Sequence, residues 1–250
     1  MKIITVIGAR PQFIKASALS REIKKNQNIN EVIIHTGQHY DTNMSDIFFD
    51  ELEIPKPKYN LGIGGGTHGQ NTGRMIEGIE SILITEKPDY LIVYGDTDST
   101  LAGALAAVKI HIPVVHIEAG LRSFNKRMPE EINRILTDNC SKFLFTPTET
   151  AINNLLNEGF NNNNIFNVGD IMFDTALYFG KKADEGSNII NKLNIEVNNY
   201  YLVTIHRQEN TDDKNRLFNI FNGLNKLANN CKVILPLHPR TKKKISEFNL

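Results

Sequence analysis

Short apolar runs alternate with longer amphipathic segments along most of the chain. The runs are rich in β-branched residues and end in turn or helix signals, a pattern typical of buried parallel strands. This alternation predicts an α/β fold with a doubly wound parallel sheet. The predicted strands of the first part are residues 2–7, 31–36, 90–94, 114–117, 142–145 and 165–168. An amphipathic helix follows the first strand, and further helices are predicted at 45–52, 70–86, 97–109, 130–139 and 148–158.

The alternation of strand and helix patterns changes after residue 170. Helical segments appear there without intervening strands, and a second series begins with predicted strands at 200–205 and 232–237 around a helix at 217–229. We therefore predict a Rossmann-like domain in residues 1–170 and the start of a second, nucleotide-binding Rossmann-like domain in residues 171–250. Two strands with their helices bury too little apolar surface for an independent domain. We expect the natural protein to be longer.

The overall charge balance excludes some classes of partner. The chain of 250 residues carries 28 basic and 28 acidic side chains, so no global field favours nucleic acid or anionic lipid. The longest apolar runs are far shorter than the roughly 20 residues of a membrane helix. Met1 leads directly into a strand instead of a signal peptide. Cys140 and Cys231 lack zinc spacing. A soluble cytoplasmic protein with no membrane or nucleic-acid partner is expected.

Acidic residues follow two of the predicted strands. Asp96 comes after the strand at 90–94, Glu118 ends the strand at 114–117, and Glu130 with Glu131 opens the next helix. In a doubly wound sheet the carboxyl ends of the strands form the ligand crevice. These carboxylates are therefore expected to meet at one place.

Basic and polar residues occupy equivalent positions. Arg10 and Lys15 lie in the helix after the first strand, where free N–H groups and the helix dipole attract anions. Gln38 and His39 follow the second strand, and Arg207 follows the first strand of the second series. These positions suit a phosphate-binding site, although solvated surface charges would give the same pattern.

The glycine-rich run LGIGGGTHGQNTG contains a literal GxGxxG at Gly64, Gly66 and Gly69. A dinucleotide fingerprint requires that motif between the first strand and its helix, and an acidic residue at the end of the next strand. Neither condition is met. The run is interpreted as a mobile loop that caps the following helix, and no dinucleotide or other cofactor is predicted.

Structural alternatives exist for several of these residues. Asp96 could cap the helix after it, and Glu130 could form an i,i+4 salt bridge with Arg134. His116 and Glu118 share one face of a strand and could bind a metal with His39. Spacing defines no third ligand for such a site, so no metal is predicted.

Eight blocks of the sequence together resemble the non-hydrolysing UDP-N-acetylglucosamine 2-epimerase family. They are GARPQFIKA, TGQHYD, YGDTDST, HIEAGLRS, MPEEINR, TPTE, NVGD and TIHRQEN, in the family's order. The resemblance implies a glycosyltransferase-B-type fold of two Rossmann-like domains, the second one truncated in this chain. It also implies a UDP-sugar substrate bound in the cleft between the domains, and a homodimer.

The resemblance also implies roles for individual residues. Asp96, Glu118 and Glu130 match the family's acid/base carboxylates, and His206 completes the predicted catalytic set. The implied substrate-binding residues are Arg10, Lys15, Gln38, His39, Arg134 and Arg207. Glu131 is the alternative to Glu130 for this role. The two glutamates are adjacent, and only the rotation of the helix decides which side chain points into the site.

The chemistry of carbon 2 restricts the mechanism. That carbon is not next to a carbonyl, so its proton leaves only after oxidation of a neighbouring carbon or with expulsion of the nucleotide. The absence of a dinucleotide fingerprint favours elimination of UDP and re-addition through a 2-acetamidoglucal. UDP-N-acetylglucosamine is the expected substrate. Open alternatives are a modified sugar such as a UDP-2,3-diacetamido-uronic acid, a glycosyltransferase of the same architecture, and a UDP-sugar-binding fragment without turnover.

Overall fold

The computed structural model describes residues 1–38 and 49–250. These residues form two compact units, Met1–Gly180 and Lys181–Leu250. The division lies within a helix, and the domain boundary predicted after residue 170 remains a prediction. Residues 45–48, half of the predicted helix at 45–52, lie outside the described residues, as does the predicted substrate contact His39.

The first unit is built on a seven-stranded sheet of order β3-β2-β1-β4-β5-β6-β7. Every neighbouring pair is parallel, which confirms the predicted α/β class. The strand order reverses at β1 and β4, so the carboxyl ends of these strands open a crevice. The strands are β1 Lys2–Ile7, β2 Asn30–His35, β3 Tyr59–Asn60, β4 Tyr90–Tyr94, β5 Val114–Ile117, β6 Phe143–Thr146 and β7 Ile165–Asn167. Only β3 falls where the sequence predicted a connection.

Helices cover both faces of this sheet. Those of the first unit are α1 Arg10–Lys24, α2 His68–Glu86, α3 Asp98–Lys109, α4 Pro129–Cys140 and α5 Glu149–Asn157, with a 3₁₀ turn at Asn162–Asn164 and α6 at Ile171–Gly186. Thr67 caps α2 by accepting from the Gln70 N–H, as expected of a loop that starts a helix. None of the helices in the described part of the chain has the length and apolar character of a bilayer span.

Alternate side chains of the strands fill two cores. Ile4 and Val6 of β1 belong to one cluster with Met75 and Leu83 of α2. Ile3 and Ile7 point to the other face and pack with Phe13 of α1 and Tyr94 of β4. This two-residue period explains the apolar runs, because a strand covered on both faces has no polar side. Each fully buried large side chain contributes roughly 1.5–3 kcal/mol to the stability of the fold. The sheet is therefore a rigid platform for the residues at the carboxyl ends of its strands.

The second unit contains two parallel strands, β8 Tyr200–Leu202 and β9 Lys232–Ile234. Its helices are α7 Ile189–Lys192, α8 Gln208–Thr211, α9 Lys214–Ala228 and α10 Pro239–Phe248. Both strands are shorter than predicted, and α9 begins three residues before the predicted start of that helix.

Candidate active site

Two tight turns at the ends of β4 and β5 form the floor of the candidate site. Gly95 follows β4 with a φ of 64°, and Glu118 follows β5 with a φ of 70°. The Gly95 N–H donates to the carbonyl of Ile117 at 3.0 Å, which joins the turns. A left-handed glutamate costs of order 1–3 kcal/mol and persists only where surrounding contacts enforce it. Such strain is characteristic of functional sites.

Glu118 forms an ion pair with Lys15 of α1. The side chains are 14% and 11% exposed, so water screens this pair less than a surface pair. A Cβ atom on Gly95 would lie 2.9 Å from the Lys15 Nζ and 3.3 Å from a Glu118 carboxylate oxygen. The ion pair therefore lies directly over Gly95, and any larger residue there would displace it.

Asp96 forms a second ion pair, with Arg134 of α4. The helix after Asp96 is capped by Thr97, whose hydroxyl accepts from the Thr100 N–H, so the alternative of Asp96 as the helix cap is wrong. Arg134 also contacts Glu131, three residues before it, at 3.2 Å. The guanidinium thus binds two carboxylates with different nitrogen atoms.

The two adjacent glutamates of α4 have different surroundings. Glu131 is 1% exposed and accepts from the N–H groups of Ser123 at 2.9 Å and Phe124 at 2.8 Å. Burial alone would raise the pKa of Glu131, but these N–H groups and the Arg134 charge hold it below its usual value. Glu131 is therefore a fixed anion that shapes the 123–124 turn. Glu130 is exposed and available to solvent or a ligand.

Gln12, which sequence reasoning overlooked, organises the turn after β1. Its side-chain oxygen accepts from the N–H groups of Gly8 at 2.8 Å and Ala9 at 3.0 Å. Its amide nitrogen donates to the Tyr94 carbonyl and the Thr100 hydroxyl. The amides of Gly8 and Ala9, just before α1, are thus occupied by a protein oxygen. The signal was a glutamine at the third position of α1, as in a capping box.

The two remaining predicted binding residues of the first unit within the described part of the chain, Arg10 and Gln38, differ in solvent exposure. Arg10 is exposed at the first position of α1. The Gln38 side-chain oxygen accepts from the Ser99 N–H at 3.1 Å and the Ser99 hydroxyl at 2.6 Å. Gln38 is therefore tied to the first turn of α3, next to Asp96.

His116 is enclosed in the core, away from solvent. Its ring nitrogens lie 2.6 Å from an Asp138 carboxylate oxygen and 2.8 Å from the Gly95 carbonyl. Both nitrogens are thus occupied by protein oxygens, which leaves none for the metal considered with Glu118 and His39. Among the described residues no group of three possible metal ligands occurs.

The second unit contains the remaining predicted residues. His206 and Arg207 are exposed in the segment after β8. The His206 ring lies 6.1 Å from that of His238, centroid to centroid. His238 caps α10 by accepting from the Arg240 N–H at 3.2 Å. Sequence reasoning gave His238 no role, although HPR follows β9 much as HRQ follows β8.

The first unit thus presents two carboxylates, each beside a cation, at the carboxyl ends of neighbouring strands. Carboxylates can transfer protons, and cations can stabilise a departing anion. A parallel sheet that carries such a site at its carboxyl end, followed along the chain by a second βα series, is typical of a glycosyltransferase-B-type enzyme.

Sequence comparisons place the chain more narrowly. A family model described as UDP-N-acetylglucosamine 2-epimerase matches residues 21–249, and the chain belongs to this family. It is 56% identical over 253 residues to the UDP-2,3-diacetamido-2,3-dideoxy-D-glucuronate 2-epimerase of Pseudomonas aeruginosa, covering 100% of this chain and 70% of that protein. It is 56% identical over 251 residues to a UDP-N-acetylglucosamine 2-epimerase homologue of Methanococcus maripaludis, covering 100% and 69%.

A solved structure shows the same architecture. The UDP-GlcNAc 2-epimerase of Methanocaldococcus jannaschii, crystallised with UDP-GlcNAc and UDP, has a TM-score of 0.87 and 51% identity. The match covers 100% of this chain and 69% of that one. The family and these relatives support 2-epimerisation of a UDP-sugar as the class of function.

Proposed function

We propose that the protein epimerises carbon 2 of a UDP-activated N-acetylated sugar and interconverts UDP-GlcNAc and UDP-ManNAc. The proposed route is anti elimination of UDP and its re-addition through a 2-acetamidoglucal, without a cofactor. The observation that carries this proposal is the arrangement of Asp96 with Arg134 and Glu118 with Lys15 at adjacent strand ends. Elimination needs a base for the carbon-bound proton and positive charge for the leaving group, and this arrangement contains both.

The proposed step is a balanced elimination. A carboxylate takes the proton from carbon 2, the electrons of that C–H bond form the C1–C2 double bond, and the C1–O bond breaks with its electrons on UDP. In the reverse step a carboxylic acid returns a proton to the opposite face, and UDP attacks carbon 1. Asp96, Glu118 and Glu130 are the proposed acid/base groups, with His206 as a further proton carrier.

The cationic residues have a second task in this scheme. The pyrophosphate of UDP develops charge as it leaves, and Arg10, Lys15, Arg134 and Arg207 are proposed to bind it. Gln38 and His39 are proposed to contact the substrate. Lys15 and Arg134 are paired with carboxylates in the structure. A bound pyrophosphate would compete for them and release Glu118 and Asp96 for proton transfer.

A second candidate substrate is a UDP-2,3-diacetamido-uronic acid. The observation that favours it is the 56% identity to the Pseudomonas aeruginosa enzyme named for such a sugar. The chemistry at carbon 2 is the same for both sugars. They differ at carbon 3, where an acetamido group replaces a hydroxyl, and at carbon 6, where a carboxylate adds a negative charge.

A homodimer is proposed as the assembly. Met128, which precedes α4 at its N-cap, and Ile132 and Leu136 of α4 follow one another at four-residue spacing and are 38%, 39% and 43% exposed. A stripe of this kind can pack against the same stripe of a second copy about a two-fold axis. This packing would bury apolar surface that the monomer leaves in water.

The decisive experiment is hydrogen exchange at carbon 2. The protein is incubated in deuterium oxide with UDP-GlcNAc or with the diacetamido-uronic acid, without nicotinamide or an acceptor sugar. We expect deuterium at carbon 2, formation of the 2-epimer and a trace of UDP. Asp96→Asn should abolish exchange, and Asp184→Asn, at an exposed aspartate, should retain it. Lack of exchange with both sugars would refute the proposal.

A further inference from the structure

A chain of hydrogen-bonded polar and charged side chains runs from the active-site floor to the surface. His116 contacts Asp138 at 2.6 Å, and the other Asp138 oxygen lies 2.7 Å from Arg122. Arg122 then donates two bonds of 2.7 Å to Glu158. The side chains of His116, Asp138 and Arg122 are at most 1% exposed, whereas Glu158 is 34% exposed. We call these four residues the buried network.

The buried network contacts the backbone close to each of the two catalytic candidates, Asp96 and Glu118. His116 meets the carbonyl of Gly95, the residue before Asp96, at 2.8 Å. Because a carbonyl only accepts, the Nε2 atom of His116 must carry a proton. At the other end Asp138 accepts from the Gly120 N–H at 3.1 Å. The network thus binds the residue before Asp96 and the residue two positions after Glu118.

These contacts flank a strained residue. Gly95, Glu118 and Gly120 all have positive φ, of 64°, 70° and 78°, a conformation that glycine adopts freely but that strains Glu118. Glycine is also sterically required at position 120, since a Cβ there would lie 2.4 Å from the Ala151 carbonyl oxygen. A strained turn relaxes unless other contacts enforce it. The Gly120 N–H bond to Asp138 holds the turn that contains Glu118. The His116 bond to the Gly95 carbonyl holds the turn after β4, which is joined to the first by the Gly95 N–H bond to Ile117.

We infer that His116, Asp138 and Arg122 are positioning residues that hold Asp96 and Glu118 in register for proton transfer, His116 through the Gly95 carbonyl and Asp138 through the Gly120 N–H. This role rests on the proposed function. It predicts that these three residues affect the rate of the chemical step and not the affinity for the nucleotide, since none of them belongs to the proposed binding set.

Two substitutions of one residue separate positioning from simple core packing. Glutamine can place its amide nitrogen near the Nε2 position of histidine and retain the bond to Gly95. Asparagine reaches only the Nδ1 position and loses that bond. We expect His116→Asn to lower kcat ~10–100-fold, because small misplacements of catalytic groups are costly. KM should stay within ~2-fold of the wild-type value, since no residue of the proposed binding set is altered. His116→Gln should recover most of the rate.

Glu158→Gln is the matched control at the exposed end of the buried network. It should retain kcat within ~3-fold, because its charge is partly solvated. The inference would be overturned if His116→Asn and His116→Gln had equal kcat. It would also be overturned if the loss of activity merely matched the loss of folded protein.

A second measurement does not depend on turnover. Amide hydrogen exchange should show lost protection confined to residues 95–98 and 118–122 in His116→Asn, and near-normal protection in His116→Gln. Unchanged protection in His116→Asn would contradict the positioning role. Loss of protection throughout the protein would contradict it as well. Wild-type protein that fails to exchange hydrogen at carbon 2 would instead refute the proposed function, and the amide result would still decide whether the network holds the two turns.

Discussion

The guanidinium of Arg134 donates to the carboxylate of Asp96, 38 positions earlier in the sequence. The same side chain contacts the buried Glu131 through its other terminal nitrogen, at 3.2 Å. Arg134 therefore connects a solvent-accessible carboxylate to one that is fixed in the protein. The position of the Asp96 carboxylate therefore depends on this fork-shaped cation.

The first prediction concerns Arg134→Lys. Lysine keeps the charge but has a single nitrogen, which cannot serve Asp96 and Glu131 in the same geometry. We expect kcat/KM for the UDP-sugar to fall ~10–100-fold, since both orientation and leaving-group stabilisation weaken. Steady-state kinetics check this result. Arg74→Lys, at an exposed position of α2, should behave as wild type, and equal activity of both variants would contradict the proposed role of Arg134.

The second prediction separates Glu130 from Glu131. Glu131→Gln should lower the free energy of unfolding by about 1–3 kcal/mol, because an amide cannot accept all the bonds that the buried carboxylate receives. Glu130→Gln should change that free energy by less than about 0.5 kcal/mol, as exposed substitutions do, and should reduce epimerisation. Denaturant unfolding and C2 exchange test both expectations. A stable, inactive Glu131→Gln would reverse the assignment.

The third prediction is the acid sensitivity of Glu86. Its carboxylate pairs with Lys2 and Lys58 and accepts from the Tyr59 hydroxyl. The Lys2 bond, with those to Lys58 and Tyr59, lowers the pKa of Glu86 from 4.5 to about 2. A lowered folded-state pKa stabilises the protein above the unfolded-state value, and this contribution disappears as the pH falls from 4.5 towards 2.

Glu86→Gln should therefore unfold at a lower denaturant concentration than wild type at pH 7, and the difference should shrink below about pH 4.5. Urea titrations at several pH values measure it. Glu22→Gln removes an ion pair whose partners are 60% and 66% exposed, and it should have little effect at any pH. A difference between Glu86→Gln and wild type that is independent of pH would exclude the carboxylate charge as its cause.

The fourth prediction addresses the proposed homodimer. Ile132→Lys places a charge in the exposed stripe of α4 and should shift the protein from dimer to monomer. Light scattering after size-exclusion chromatography reports the mass. Ile189→Lys, at an isoleucine of the second unit that is 51% exposed, is the control and should remain dimeric. A dimeric Ile132→Lys would place the contact elsewhere, and a monomeric wild type would reject the assembly.

Much of the architecture followed from local patterns. Six strands of the main sheet were predicted to within about one residue at each end. The spacing of apolar residues shows which faces of a segment are buried, and turn residues mark where the segment ends. The convergence of Asp96 and Glu118 was predictable from the rule that ligands bind at strand carboxyl ends. The second unit was predicted less well, and its strands are shorter than their apolar runs suggested.

The partners of individual side chains could not be predicted from these patterns. Glu130 and Glu131 are neighbours, and a rotation of about 100° per residue decides which of them is buried. Spacing suggested Glu130 as the partner of Arg134, whereas α4 packs against α3, the helix that follows Asp96, and Arg134 contacts Asp96 and Glu131. The local pattern also did not show that the Gln12 oxygen accepts from the Gly8 and Ala9 amides, because that contact forms only when the turn before α1 is folded.

The sequence by itself determined the order of strands and helices, the family, and the group of acidic and basic residues at the strand ends. These depend on local periodicity and on motifs that can be read along the chain. Only the tertiary structure decided that Lys15 neutralises Glu118 above Gly95, and that His116, Asp138 and Arg122 join distant segments beneath the site. Such pairings depend on the rotation and packing of whole elements, which no local pattern encodes.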